Sequence, residues 1–290
     1  MIRALRFCLC LIALLPSYAR AQVCDDPRPL RLALIPKKNA EALLADYQPL
    51  IRQLEKTLDR PVEVVPSPSY GTVIEGILAG SVDLAELGPA SYAIAKSRDP
   101  GLTAFAAIAV RRGPYTPSGS HYHSLLITRQ GNGFKDHTSL RGKSLGLTDP
   151  ASTSGALIPR RSFTKAVGTP LETFFSRITF AGSHDRAIQA VVRRQVDAAF
   201  VSSTILDDAV RGNRVAASDI VVLWKSPPIP YDPFVYRGRL CQPLAERIKA
   251  VFLHDNDALR GMFEALQIEG FFPANDDSYR EIRELYDSRP

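Results

Sequence analysis

The chain has 290 residues, a formal net charge of +6 and 45% hydrophobic residues. That length admits two α/β lobes. No block of like charge is present, which argues against nucleic-acid binding, and past the N-terminus no run is long and apolar enough to cross a bilayer.

Residues 1–21 have the layout of a secretory signal peptide. Arg3 and Arg6 precede the apolar run FCLCLIALL, and Ala19-Arg20-Ala21 supplies a small-residue exit. Cleavage is expected before Gln22. The run falls short of the ~20 residues of a spanning helix. Ala-Gln-Val before Cys24 is not the small-residue box of a lipoprotein. Losing Arg3, Arg6 and Arg20, with no acid among them, lowers the charge from +6 to +3. Cys8 and Cys10 leave with the leader. Cys24 and Cys241 remain, either as a disulfide or as two free thiols.

Short apolar runs then alternate with helical segments. LRLALI (30–35) reads as a buried strand. A helix is expected over 47–58, with Pro49 in its first turn. Strand 62–65, helix 70–80, strand 83–87 and a helix from residue 90 follow. The rhythm returns with strand 143–147, helix 154–167, strand 177–181, helix 185–194 and strand 197–201. Helices 243–252 and 255–266 and a charged terminal helix close the chain. This is βαβα punctuation, which predicts mainly parallel sheets covered on both faces.

GSVDLAELGPASY and RQVDAAFVSSTIL nearly repeat each other: helix end, Val-Asp, short strand, then a loop of small and hydroxyl residues. The repeat suggests two lobes of like design. RRGPYTPSGSHYHS and the proline-rich WKSPPIPYDPF are the two expected crossings between them. Lobe 1 is then discontinuous, 22–118 with 226–290, and lobe 2 is 119–225. Their cleft lies where strand C-termini face each other.

DPASTSGALIPRR falls in that cleft, between a strand and a helix start. Helix N-termini offer free N–H groups and positive dipole ends. Ser152, Thr153 and Ser154 add hydroxyl donors, a combination that suits an oxyanion. One of the hydroxyls alone would be a helix cap. His184, in GSHDRAIQAV, starts another helix beyond a strand and either donates to the anion or caps its own helix. Tyr70, Ser91 and Tyr92 follow strand ends in lobe 1, where the two tyrosines either face the cleft or lie half-buried on the lobe surface.

These segments resemble the phosphonate-binding proteins of ABC importers, within the type 2 periplasmic binding fold. The resemblance rests on Ile35-Pro36, PSYGTVIEGILAGSVDLAELGPASYAIA, DPASTSGALIPRRSF, GSHDRAIQAVVRRQVDAAFVSS and PPIPYDPFVYR. It implies a periplasmic, non-catalytic monomer that closes two lobes on a small oxyanion without a cofactor. Its membrane partner would be an ABC permease or a sensor protein. The family's serine-threonine-serine trio maps onto Ser152, Thr153 and Ser154, its histidine onto His184, and its tyrosines onto Tyr70 and Tyr92. Two departures stand out. Lys37-Lys38-Asn39 replaces the usual residues after the first strand. Of the acids that hold a ligand amine, one position maps onto neutral Thr204 and another onto Asp232. Little preference for aminoethylphosphonate is therefore expected.

Two rival readings are weaker. A hydrolase or transferase would pair Ser152 with His184 and Asp185 or Asp207, but no Gly-x-Ser-x-Gly elbow is present. A metal site at His121-x-His123 lacks nearby carboxylates, so no metal is expected.

Overall fold

The computed structural model describes residues 24–254 and 257–288. The signal peptide and its cleavage point lie outside them. One lobe begins with β1 (Leu30–Leu34), α1 (Ala40–Leu58), β2 (Val62–Val64), α2 (Tyr70–Leu78), β3 (Leu84–Glu86), α3 (Pro89–Arg98) and β4 (Thr103–Val110). The chain crosses through β5 (His121–Tyr122) into the second lobe. There it forms β6 (Ser124–Arg129), β7 (Ser144–Leu147), α4 (Thr164–Val167), α5 (Leu171–Phe174), β8 (Arg177–Phe180), α6 (His184–Val192), β9 (Ala198–Ser202), α7 (Ser203–Arg211) and β10 (Ile220–Lys225). Wide turns over Thr153–Leu157 and Pro159–Phe163 lead into α4. The chain returns through β11 (Ile229–Pro230) to β12 (Pro233–Tyr236), α8 (Gln242–His254), α9 (Arg260–Leu266), β13 (Ile268–Pro273) and α10 (Arg280–Asp287).

The first lobe's sheet runs β13-β4-β12-β3-β1-β2 and the second's β10-β6-β9-β7-β8. The two orders match strand for strand: β2 with β8, β1 with β7, β3 with β9, β12 with β6, and β4 with β10. The near-repeat is therefore architectural, since its copies are β3–α3 and β9–α7.

The sheets are mixed, not mainly parallel. β1, β2 and β3 pair in parallel, as do β7, β8 and β9, but β12 is antiparallel to β3 and β6 to β9. The crossings explain this. A chain arriving from the other lobe enters its sheet at the cleft and must run away from it. The βαβ strands run towards it. β4 and β10 then run back to the cleft to feed the crossings, antiparallel to β12 and β6.

Helix α1 begins seven residues before the expected start, so Pro49 sits in its interior. The Asn39 side chain accepts the Ala42 N–H as N-cap, and Leu43, Tyr47, Leu50, Leu54 and Leu58 form a buried stripe. Burial of that stripe outweighs the hydrogen bond lost at proline. On the same face of the sheet, Ile248, Val251 and Phe252 of α8 complete the core. α2 and α3 cover the other face, through Val73, Ile74, Ile77 and Ala95. Phe163, Phe174, Phe175 and Phe200 pack one face of the second sheet. Cys24 and Cys241 form a disulfide that ties the segment before β1 to the start of α8, settling the choice left open by the sequence.

β5 and β11 pair antiparallel, so the two crossings form one ribbon. Gly119, at φ +118°, supplies a bend there that side-chain-bearing residues resist.

Candidate functional site

Five helix starts point into one cavity between the lobes. It is lined by Tyr70 at the start of α2, Gly88 before α3, Ser152 and Thr153, His184 at the start of α6, and Ser202 and Thr204 at α7. Lys37, Tyr122, Tyr231 and Asp232 stand in the wall with the apolar Ile35 and Ile205. Each βα strand ends at the cleft, so the helix that follows presents its free N–H groups and positive dipole end there.

The three consecutive hydroxyls have different partners. Ser152 Oγ accepts the Gly155 N–H at 3.1 Å and caps its helix. Thr153 Oγ1 accepts the Ala90 N–H of α3, in the opposite lobe, at 2.8 Å. Ser154 Oγ is buried and has no hydrogen-bond partner. Behind them Asp149 takes the Ala151 N–H at 2.8 Å and, across the cleft, the Tyr70 N–H at 3.4 Å.

His184 is oriented by the backbone. Its Nδ1 accepts the Ser202 N–H at 3.1 Å, so the proton of the neutral ring sits on Nε2, 3.5 Å from Ser152 Oγ. Burial, with the Lys37 charge acting the same way, lowers its pKa to about 3. His184 is thus a neutral donor facing the cavity. The same geometry removes the base that the hydrolase reading needs, because Nε2 offers Ser152 a proton and no lone pair. Neither Asp185 nor Asp207 holds Nδ1: Asp185 takes the Asn39 and Arg186 N–H groups, and Asp207 the Tyr115 N–H.

Lys37 is buried with its Nζ 2.6 Å from Glu86 Oε1 and 3.5 Å from Asp232 Oδ2. Glu86 Oε1 also accepts the Tyr47 hydroxyl at 2.9 Å, while Glu86 Oε2 has no partner. Burial works against the Lys37 charge, but Glu86, Tyr47, Tyr231 and Asp232 hold its pKa well above the ordinary lysine value. Burial raises Asp232 to about 7, with Lys37 opposing and Glu86 assisting.

The lobes meet through further bonds. The His184 N–H donates to the Lys37 carbonyl at 3.2 Å, and the Asn39 N–H to Asp185 at 2.9 Å. Lys38 Nζ lies 3.4 Å from Asp208. The enclosed space is about 10 Å³, room for roughly one water. A side cleft of about 250 Å³, between α1, α7 and the first crossing, shares Lys37, Thr204, Ile205 and Tyr231 with it.

Of the expected residues, Tyr70, Ser152, Thr153, His184 and Asp232 line the cavity, and Ser154 is buried behind it. Ser91 and Tyr92 do not line it. Ser91 Oγ donates to the Ala151 carbonyl at 2.9 Å, an interlobe contact. Tyr92 points to the opposite side of α3, where its hydroxyl meets Asp276 and its ring packs on Tyr279 at 5.3 Å. The helical twist carries the fourth residue of α3 away from the end that faces the cleft. A tyrosine from the first crossing, Tyr122, stands in the wall instead. Burial, with the Asp232 charge acting the same way, raises its hydroxyl pKa well above the ordinary value. Lys37, Glu86 and Tyr231 were not expected here either. His123 Nδ1 donates to the Ser226 carbonyl at 2.9 Å. Among the described residues no three metal-ligating side chains cluster.

Two lobes joined by a paired crossing, with helix N-termini and hydroxyl groups gathered at the cavity between them, define a two-lobed binding-protein fold. The chain belongs to the ABC transporter, phosphonate, periplasmic substrate-binding protein family, which it matches over residues 32–279. It is 31% identical over 256 residues to the phosphate-import protein PhnD of Mycolicibacterium smegmatis, covering 84% of this chain and 76% of that one. A binding protein component of a Pseudomonas aeruginosa ABC phosphonate transporter shares the fold at TM-score 0.81 and 24% identity, over 90% of this chain and 86% of that one. PhnD1 of Prochlorococcus marinus, in complex with methylphosphonate, does so at TM-score 0.76 and 20% identity, over 88% and 96%.

Proposed function

We propose that this protein captures a small phosphorus oxyanion (phosphonate, phosphite or phosphate) between its lobes and delivers it to an ABC permease. One observation carries the reading: neutral donors at five helix starts converge on one buried space. Behind that space a lone hydroxyl, Ser154 Oγ, is left without a partner. The oxyanion would take hydrogen bonds from Ser152, Thr153, Ser154 and His184 of lobe 2 (119–225) and from Tyr70 and Tyr122. Charge-assisted bonds of this kind contribute about 1.5–3 kcal/mol each. Asp232 stands at the acidic end. The enclosed space is too tight for a tetrahedral anion to slip in, so binding requires the lobes to part about the β5–β11 ribbon and reclose. Because the donors come from both lobes, the ligand favours the closed form.

A thermal-shift screen of mature, refolded protein against phosphate, phosphite, sulfate and alkylphosphonates tests this. A ligand at 100 times its Kd stabilises by about 2.7 kcal/mol. A shift with a phosphorus oxyanion is expected; no shift with any of them overturns the reading.

A further inference from the structure

The anion pocket already contains an ammonium group. Pro36 and the Lys37 N–H, which donates to the Ile35 carbonyl at 2.8 Å, turn the chain sharply after β1 and send the Lys37 side chain inward. Its Nζ sits between Glu86 and Asp232, carboxylates supplied by the end of β3 and by the second crossing. The Lys37 carbonyl accepts the His184 N–H, so this residue is held in place by the lobe that supplies the anion's donors. The other buried acid nearby, Asp149, is occupied by two backbone N–H groups. A second cation in this pocket would have to approach Glu86 or Asp232, whose oxygens already lie 2.6 Å and 3.5 Å from Nζ. Two like charges so placed repel strongly where water is excluded.

We propose that Lys37 is the specificity-determining residue of the site. Its ammonium fills the cation seat between Glu86 and Asp232. The receptor therefore takes oxyanions whose substituent is uncharged and rejects zwitterionic aminoalkyl ligands. This rests on the phosphorus-oxyanion reading above. It also gives Lys37 a second effect, since a fixed positive charge beside the donors favours the anion itself.

Ethylphosphonate and 2-aminoethylphosphonate share both carbons and differ only by a hydrogen against an ammonium on the second, and calorimetry with both tests the proposal. Wild type is expected to bind ethylphosphonate at least tenfold more tightly. In Lys37→Ala the ratio should fall at least tenfold, with ethylphosphonate weakened and the amine ligand strengthened. Where the two stranded carboxylates keep that variant from folding, Lys37→Ala/Glu86→Gln, which retains one acid, carries the same expectation. Equal or tighter binding of the amine by wild type overturns the proposal. So does an unchanged ratio in a folded variant. Wild type that binds neither phosphonate, nor phosphate or phosphite, overturns the parent reading instead.

Discussion

A serine hydroxyl has one proton and two lone pairs, and a burial that satisfies none of them costs about 1–3 kcal/mol. Ser154 Oγ is in that position, while its carbonyl is bonded by Ser124 Oγ at 2.6 Å. A site built for an oxyanion tolerates the loss because ligand binding recovers it. Ser154→Ala should therefore act in opposite directions. The melting temperature of ligand-free protein should hold or rise, because an unpaired group is removed. Affinity should fall by about 1.5–3 kcal/mol, roughly ten- to a hundredfold. Calorimetry beside thermal melts reads both, and unchanged affinity would remove Ser154 from the site. At this scale the sequence showed the groups whose position follows from a strand end and a helix start: Ser152, Thr153, Ser154, His184 and Tyr70. It showed Lys37 only as a departure after β1, because the glutamate that pulls it inward lies 49 residues away. Tyr122 and Tyr231 went unseen because the crossings have no periodicity from which facing can be read. Tyr92 was misplaced because closeness in sequence to a helix start does not fix the helical phase.

Secondary-structure elements converge here only as closely as their smallest residues permit. A Cβ on Gly155 would lie 2.3 Å from Thr148 Cβ and Oγ1 and 2.9 Å from Ser152 Oγ, so the turn over Thr153–Leu157 packs against the end of β7 without space for a methyl. The same contact reaches the donors proposed for the ligand, since Thr148 Oγ1 is 2.9 Å from His184 Nδ1. Gly155→Ala should cost about 1–3 kcal/mol of stability through overpacking. It should also displace Ser152 and His184 together, weakening the anion by more than the loss of one hydrogen bond. Thermal melts and phosphonate titration test it; a variant with native melting temperature and affinity would show that the turn is free to relax. Element order was legible from βαβα rhythm, and the near-repeat marked equivalent strands in the two lobes. Strand direction was not. β12 and β6 owe their antiparallel sense to the side from which the chain enters each sheet, a property of the crossings that no local pattern records.

Across the whole molecule, closure places two ionisable groups in the cleft whose pH effects on stability oppose each other. His184 has its folded pKa lowered to about 3 by burial, below its unfolded value. The unfolded chain therefore takes up the proton first, and this contribution to stability is lost as pH falls below about 6.5. Asp232 is raised to about 7. Its folded form keeps the proton that the unfolded chain releases, so this contribution is full below about 4 and is lost as pH rises towards 7. Between pH 4 and 6.5 the slopes have opposite sign, each at most about 1.4 kcal/mol per pH unit. Other carboxylates, such as Asp208 beside Lys38 and Arg214, add an acid sensitivity common to all variants, so the differences between proteins are informative. Asp232→Asn should lose stability faster than wild type on acidification, because the His184 slope is then unopposed. His184→Asn should lose it more slowly. Urea midpoints at half-unit steps from pH 4.5 to 7 would show wild type between the two variants. If all three curves run parallel, the cleft groups do not titrate with folding, and the closed arrangement of Lys37, Asp232 and His184 is not the one that governs stability in solution.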